Sequence, residues 1–287
     1  MSTLLSEGMD PEADAGKKDC LIILSRQDPV AKGVAALLGQ GEATSWHVDG
    51  AVVRRLEQGE LTLWREPLHI FDSALNGALP PELAQRLRAV VFPSMHRSES
   101  GTICLTVHAV GNLTEDTAMG GLPRAVNPVP ARLMTAAFLH LREEGMKIGI
   151  ETTFEGTHHG PFLQYPSFFV EIGSSQAEWE NQEVHQAISR ILLDLSDEET
   201  RGDPIVVAVG GGHYMPRFKD LVRSKSVAFA HLIPSHNLLA VDEVLAKEVV
   251  RSSPGVEGVI YARAREKGMS HISQLLPEKS EKDLKAR

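Results

Sequence analysis

Apolar residues recur along the chain in two alternating rhythms. Short β-branched runs at 20–25, 89–93, 103–109, 147–152, 167–172, 205–209, 227–230 and 258–261 read as strands. Between them, 29–39, 80–88, 130–144, 175–195, 215–223 and 242–251 carry apolar residues at i, i+3 and i+4, the period of a helix with one buried face. The alternation predicts an α/β fold, a mixed or mostly parallel sheet flanked by helices. Asp28-Pro29 and Ser174-Ser175 with Glu178 are suited to start helices, because a side-chain oxygen accepts an orphan backbone N–H and the Glu reaches back to the cap. No repeat, low-complexity tract or linker interrupts 20–275. One α/β domain is therefore expected over 19–276, between a tail at 1–18 and a charged tail at 277–287, both expected to be disordered.

Composition narrows the class without changing this picture. The 287 residues are 42% apolar and 23% charged, ordinary for a globular chain. The longest apolar stretches, Leu21-Ile22-Ile23-Leu24 and Ile205-Val206-Val207-Ala208-Val209, fall far short of the roughly 20 residues that span a bilayer. The first residues lack the basic start and apolar run of a secretory signal, so a cytoplasmic protein is expected. Cys20 and Cys104, the two cysteines, both sit in apolar runs and read as small hydrophobes rather than disulfide or zinc-knuckle partners. A net charge of −9 excludes nonspecific coating of nucleic acid, and leaves room for local recognition of one RNA end.

The chemistry concentrates in histidine. Of twelve, His96, His108, His158, His159, His213 and His231 fall at or just past the end of an expected strand. Groups placed there in an open α/β sheet gather in the crevice beyond the strand ends. The densest segment is Glu155-Gly156-Thr157-His158-His159-Gly160-Pro161, followed by Phe168-Phe169-Val170-Glu171-Ile172. Imidazole and carboxylate are natural zinc ligands, and a catalytic zinc takes about three protein ligands plus an open position. Neighbouring histidines do not easily bind one ion alike, so one of the pair is free to orient substrate or hold a second ion. Glu171, flanked by apolar residues, needs a cation, a metal or water if it is buried; on a solvent-facing strand it needs nothing.

The apolar run at 205–209 turns through Gly210, Gly211 and Gly212 to His213. Such a turn brings backbone amides close to an anion or a developing oxyanion, although the pattern is neither a dinucleotide fingerprint nor a P-loop. Arg217, Lys219, Arg223 and Lys225 follow, a basic cluster that serves either to hold the phosphates of an RNA end or as a solvated helix face.

These residues closely resemble the archaeal and plant type of D-aminoacyl-tRNA deacylase. The resemblance is carried by Gly156-Thr157-His158-His159-Gly160-Pro161, by the run from Pro166 to Ser175 with Trp179, by Gly210-Gly211-Gly212-His213-Tyr214 with Pro216, and by the run from Ala228 to Pro234. Ser94-Met95-His96 and Thr106-Val107-His108 with Gly111-Asn112 match more weakly, and the whole series runs from about residue 90 to 240. It implies a monomeric, zinc-associated hydrolase of the ester joining a D-amino acid to the tRNA 3′ end, on an α/β fold related to peptidyl-tRNA hydrolase and the phosphorylases. For plant-type members it also implies clearance of aldehyde-modified D-aminoacyl-tRNA. The chain departs from the archaeal pattern at its amino terminus, over 40–80 and after Tyr261.

The expected reaction is attack of activated water on that ester. Within it, His96, His158, His159, Glu171 and His213 are expected to act in catalysis, and His158, Glu155, Glu171 and His213 to hold zinc. Gly210, Gly211, Gly212, His108, His231, Arg217 and Lys219 are expected to contact the tRNA acceptor end with its D-aminoacyl group. Two other functions fit the residues themselves: a metal-dependent hydrolase or phosphorylase of a small metabolite, and a non-catalytic module that binds the tRNA acceptor end.

Overall fold

The computed structural model describes residues 19–97 and 101–287. It opens with strand β1 (Asp19–Ser25) and helix α1 (Pro29–Leu38), then folds back through β2 (Glu42–Val48), β3 (Ala51–Arg55) and β4 (Leu61–Arg65). Helices α2 (Leu75–Ala78) and α3 (Pro81–Arg86) lead into β5 (Leu87–Met95) and β6 (Cys104–Ala109). A small ladder of β7 (Gly111–Asn112) and β8 (Ala125–Val126) precedes the long helix α4 (Ala131–Lys147), β9 (Glu151–Phe154) and β10 (Ser167–Gly173). Then come α5 (Gln176–Trp179), α6 (Gln182–Leu192), β11 (Ile205–Val209), α7 (Pro216–Ser224), β12 (Ala228–Ile233), α8 (Glu243–Arg251), β13 (Val256–Tyr261) and α9 (Ala264–Lys267).

The expected α/β architecture is present, with the strands shared among sheets. Eight form a mixed sheet in the order β2-β3-β4-β1-β5-β10-β6-β9, and β12-β11-β13 form a second sheet that is parallel throughout. In the first, β1 runs parallel to β4 and β5, β10 runs parallel to β5, and β6 runs antiparallel to β10. The central strands β1, β5 and β10 are buried almost throughout, the signature of a sheet covered on both faces. One apolar cluster contains residues of both sheets, with Phe154 stacked on Phe138 at 3.9 Å between ring centroids and meeting Phe229 edge-on at 5.6 Å.

Several expectations need correction. Three strands form over 42–65, where the sequence reading places none: β2, at the sheet edge, alternates between exposed and half-buried positions until Val48, β3 is mostly half-buried, and β4 is buried beside β1 but only five residues long. The helix expected over 175–195 is two, broken where the Asn181 side chain accepts the Glu183 N–H and caps the second. The strand expected at 147–152 starts at Glu151, since α4 continues to Lys147.

The segment 277–287, expected to be disordered, is docked on the fold. Val259 donates its N–H to Pro277 and Lys279 donates to Val259, so the chain pairs briefly with β13. Leu284 is buried, and Arg287 reaches Asp203 at 2.6 Å. Its many charges hid one apolar anchor and one arginine with a waiting carboxylate. The expectation for 1–18 lies outside the described residues. Among the described residues, no helix is long and apolar enough to cross a membrane.

Candidate active site

Strand ends and backbone pairing assemble the site. The segment after β9 is held on three sides: Gly156 donates to His213, Thr157 to Leu232, and Gly111 donates to His159. Glu155 and Tyr214 face each other in an isolated antiparallel bridge, which draws the loop after β11 onto the loop after β9. His159 sits at φ +43°, a left-handed conformation uncommon outside glycine and often found where a side chain is held for function. From the sheet, Phe169 on β10 is paired with His108 on β6, so His108 and Glu171, two residues along, share one face. The His108 ring stacks on Phe169 at 5.1 Å, and Phe169 stacks on Phe92 at 4.6 Å, an apolar floor beneath the polar groups.

Five of the six histidines singled out from the sequence converge on two carboxylates. Glu155 is fully buried and Glu171 is 2% exposed. His96 Nδ1 lies 3.4 Å from Glu155 and 3.3 Å from Glu171, and His213 Nε2 lies 3.0 Å from Glu155. His158 Nε2 is 3.5 Å from Glu155, His108 Nε2 is 3.6 Å from Glu171, and His159 Nε2 is 4.0 Å from Glu171. A cavity of about 510 Å³ opens onto this cluster, with His96, His158, His159, Glu171 and His213 in its wall.

The tautomers reveal what the cluster lacks. His108, His158 and His159 each set Nδ1 against a backbone carbonyl, of Ala109 at 3.0 Å, Gly156 at 2.8 Å and Gly160 at 2.7 Å. The carbonyl can only accept, so Nδ1 carries a hydrogen; at His158 and His159, whose burial favours the neutral ring, a bare Nε2 then faces the carboxylates. Both Glu155 oxygens and His108 Nε2 are buried with no hydrogen-bond partner, although imidazole nitrogens stand at ion-pair distance: distance is satisfied and direction is not. The Nε2 atoms of His158 and His159 and the unpartnered Glu155 oxygens belong to one cluster, a donor set suited to a cation.

Burial pushes the Glu155 and Glu171 carboxyls up, but nearby imidazoles, His213 beside Glu155 and His108 and His96 beside Glu171, outweigh it and hold both below the usual range. Burial likewise pulls His96 and His108 down, yet Glu171 beside each restores more than is lost, and both bind a proton more firmly than free imidazole. Burial and neighbouring imidazoles drive His158 well down and His159 to about 4. Three triads have ligand atoms close enough to share an ion: His108, His158 and His159; His96, Glu155 and His213; and His108, Glu155 and Glu171.

Other expected contacts lie elsewhere. His231 is fully buried within β12, with Nδ1 3.1 Å from Thr157 Oγ1 and Nε2 3.0 Å from Ser252 Oγ. Both ring nitrogens are used by the chain itself, so it braces the loop before His158 and cannot touch substrate. The glycines are absent from the cavity wall, and Gly210 donates its amide to Ile233, so an oxyanion role for that amide is excluded. Gly210, at φ +110°, has a Glu266 carboxylate oxygen 2.0 Å from where a Cβ would sit. The turn is therefore glycine for space, and its product is the placement of His213. Arg217 pairs with Glu281 at 3.0 Å and Lys219 with Glu151, on α7 outside the cavity wall.

The structure adds His69, Asp28 and Tyr214. His69 lines the cavity with Nε2 3.0 Å from the Pro93 carbonyl, and Asp28 both caps α1 and accepts the Met95 N–H at 3.0 Å. The Tyr214 hydroxyl lies 3.2 Å from His96 Nε2. His69 carried no signal because no periodic element surrounds it in the sequence.

Comparison with known proteins places this geometry. A family model described as D-aminoacyl-tRNA deacylase matches residues 83–282. A D-aminoacyl-tRNA deacylase of Thermoplasma acidophilum is 32% identical over 250 residues, covering 86% of this chain and 91% of the relative. One of Methanococcus vannielii is also 32% identical, covering 81% and 86% respectively. A crystal structure described as a conserved protein of unknown function superposes with a TM-score of 0.81 at 23% identity, over 94% of this chain and 99% of the other, a likeness of fold.

Proposed function

This chain belongs to the D-aminoacyl-tRNA deacylase family, and from that premise we propose how its histidine–carboxylate cavity performs the reaction the family name states, hydrolysis of the ester between a D-amino acid and tRNA. The observation that carries the reading is Glu155: a fully buried carboxylate with no hydrogen-bond donor on either oxygen, surrounded by His96, His158 and His213.

The residues fit zinc. Glu155 and Glu171 supply the charge, and His108, His158 and His213 supply imidazole nitrogens, the first two rings oriented by backbone carbonyls. When bound, zinc supplies Lewis acidity that brings the pKa of water towards neutrality. The chain's own groups do the rest. His96, holding its proton beside Glu171 and linked to Tyr214, donates to the ester as negative charge develops. His159 holds the acyl group against the floor. His213, its side chain 39% exposed, stands at the mouth of the cavity.

The ribose hydroxyl of tRNA then leaves through the open side. A cavity of about 510 Å³ accommodates an aminoacyl group and a ribose, and wall shape selects the D-isomer. The same volume leaves room for an aldehyde-modified amine. We take the enzyme to act as a monomer, and a tRNA substrate supports a cytoplasmic location. Arg217, close after the His213 loop, is placed to exchange its exposed partner Glu281 for an RNA phosphate, and Lys219 likewise for Glu151.

Turnover of matched D- and L-aminoacyl-tRNA tests the reading. Cleavage of the D-isomer many times faster is expected; equal rates, or binding of tRNA with the ester left intact, would overturn it.

A further inference from the structure

The cavity mouth holds two large apolar side chains in an unusual state. Phe71 is 55% exposed and Met119 is 54% exposed, and both line the same cavity as the histidines and carboxylates. Exposed apolar side chains are common one at a time, but two on adjoining loops at the rim of a reactive cavity form a surface prepared for contact.

Their backbones are fixed. Phe71 ends a 3₁₀ turn, His69–Phe71, whose other end is buried and pinned by His69 on the Pro93 carbonyl, while Phe71 donates its N–H to Leu68 at 3.0 Å. Met119 accepts the Gly160 N–H at 3.0 Å, immediately after His159. Between the two loops Gly120, at φ +75°, leaves no room for a side chain: a Cβ there would lie 1.8 Å from the Ile70 carbonyl oxygen and 3.2 Å from the Phe71 ring. The two loops that carry Phe71 and Met119 are thus anchored against each other at the rim of the cavity.

We propose that Phe71, with Met119 beside it, is the stacking platform for the nucleobase of the terminal nucleotide of tRNA. The inference rests on the deacylase reading and names the part of that substrate which the mouth receives. One ribose separates the ester oxygen from its base, so an ester carbonyl held at the histidines puts that base within a sugar's width of them. A tRNA is far too large to enter the cavity, so the nucleotide must lie on the solvent side and the amino acid on the inner side. The solvent side of this cavity is where Phe71 and Met119 are exposed. An aromatic ring offers a π-face to any base, and a polarisable thioether suits its edge. The face needs no charge, which accords with a chain of net charge −9 that binds one RNA end locally.

The test compares Phe71→Ala, Phe71→Trp and wild type on three D-amino acid esters: aminoacyl-tRNA, aminoacyl-adenosine and the plain ethyl ester, which has no base. Adenosine 5′-monophosphate binding is measured alongside by calorimetry. Base stacking removed by alanine costs roughly 5- to 150-fold in affinity. Phe71→Ala should therefore lower kcat/KM for aminoacyl-tRNA and aminoacyl-adenosine at least about 5-fold more than for the ethyl ester, mainly through KM, and weaken the nucleotide to match. Phe71→Trp should restore both. Equal losses on all three esters would make Phe71 a contact for the amino acid or a support of the wall, and would overturn the inference, as would unchanged nucleotide affinity. Failure of the wild type to cleave any D-aminoacyl-tRNA would instead overturn the deacylase reading.

Discussion

His213 Nε2 stands 3.0 Å from Glu155 Oε2, and the two residues reach each other because their loops pair through the bridge of Glu155 with Tyr214. One belongs to the turn after β11 and the other to the end of β9, so the site spans the two larger sheets. Glu155 is the joint: it faces His96 from β5, His158 from its own loop and His213 from the second sheet.

Replacing this carboxylate by its neutral isostere should leave the fold and remove the charge that holds the cluster together. Glu155→Gln is expected to lose at least about 100-fold in turnover on D-aminoacyl-tRNA and to purify with less bound metal. Circular dichroism should be unchanged. Near-normal turnover with full metal would show that the joint is elsewhere.

His231 should behave as a brace. Substituting Leu removes one hydrogen-bond partner from each of the Thr157 and Ser252 hydroxyls, which keep Leu232 and Glu248, a cost of about 1–3 kcal/mol for the two bonds in urea unfolding at pH 7. The pH dependence has a definite sign. Burial lowers the His231 pKa to about 3, against about 6.5 in the unfolded chain. Its contribution is complete above pH 6.5 and fades as pH falls towards 3, because only the unfolded form takes the proton there. Between pH 6.5 and 5, His231→Leu should flatten the loss of stability by at most about 1.4 kcal/mol per pH unit. Parallel stability curves for the two proteins would contradict a buried neutral imidazole.

Arg217 is paired with Glu281 at the surface, where such pairs contribute only about 0–1 kcal/mol, so an RNA phosphate can replace the carboxylate at little cost. Arg217→Glu is expected to reduce the slope of log affinity for tRNA against log salt by roughly one. The same slope in wild type and variant would leave Arg217 a solvated helix residue.

Removing 277–287 should destabilise the protein. The deletion exposes the pocket of Leu284, worth about 1.5–3 kcal/mol when a Leu is fully buried, and leaves Asp203 without Arg287. A thermal midpoint identical to that of the full chain would mean the segment contributes nothing to the fold.

What the sequence could and could not reveal follows from the physics of each position. His96 and His213 were legible because each follows an apolar run that forms an inner strand, and strand ends in such sheets converge; His158 and His159 follow β9, a short polar edge strand, and were legible from their density beside Glu155. Glu171 was legible as a carboxylate among apolar neighbours, and it is buried where they are. His231 follows the same local pattern, yet its neighbour across the strand is the core; which face a residue takes depends on packing that no local pattern contains. His69 and Phe71 lie in a 3₁₀ turn without periodicity, and their roles come from Pro93 and Gly120, distant in the chain. The triglycine turn was legible as a tight turn, but whether its amides face a ligand or Ile233 is decided by the neighbouring strand.

Metal dependence bears most directly on the claim that lone pairs and carboxylates in this cavity are arranged around a cation. Protein dialysed against a chelator, with zinc content quantified, should lose turnover of D-aminoacyl-tRNA and regain it in proportion to zinc restored, while Glu155→Gln regains little at any zinc level. Full turnover in wild type stripped of every metal would contradict the claim, and would leave the histidines and carboxylates to act by proton transfer alone.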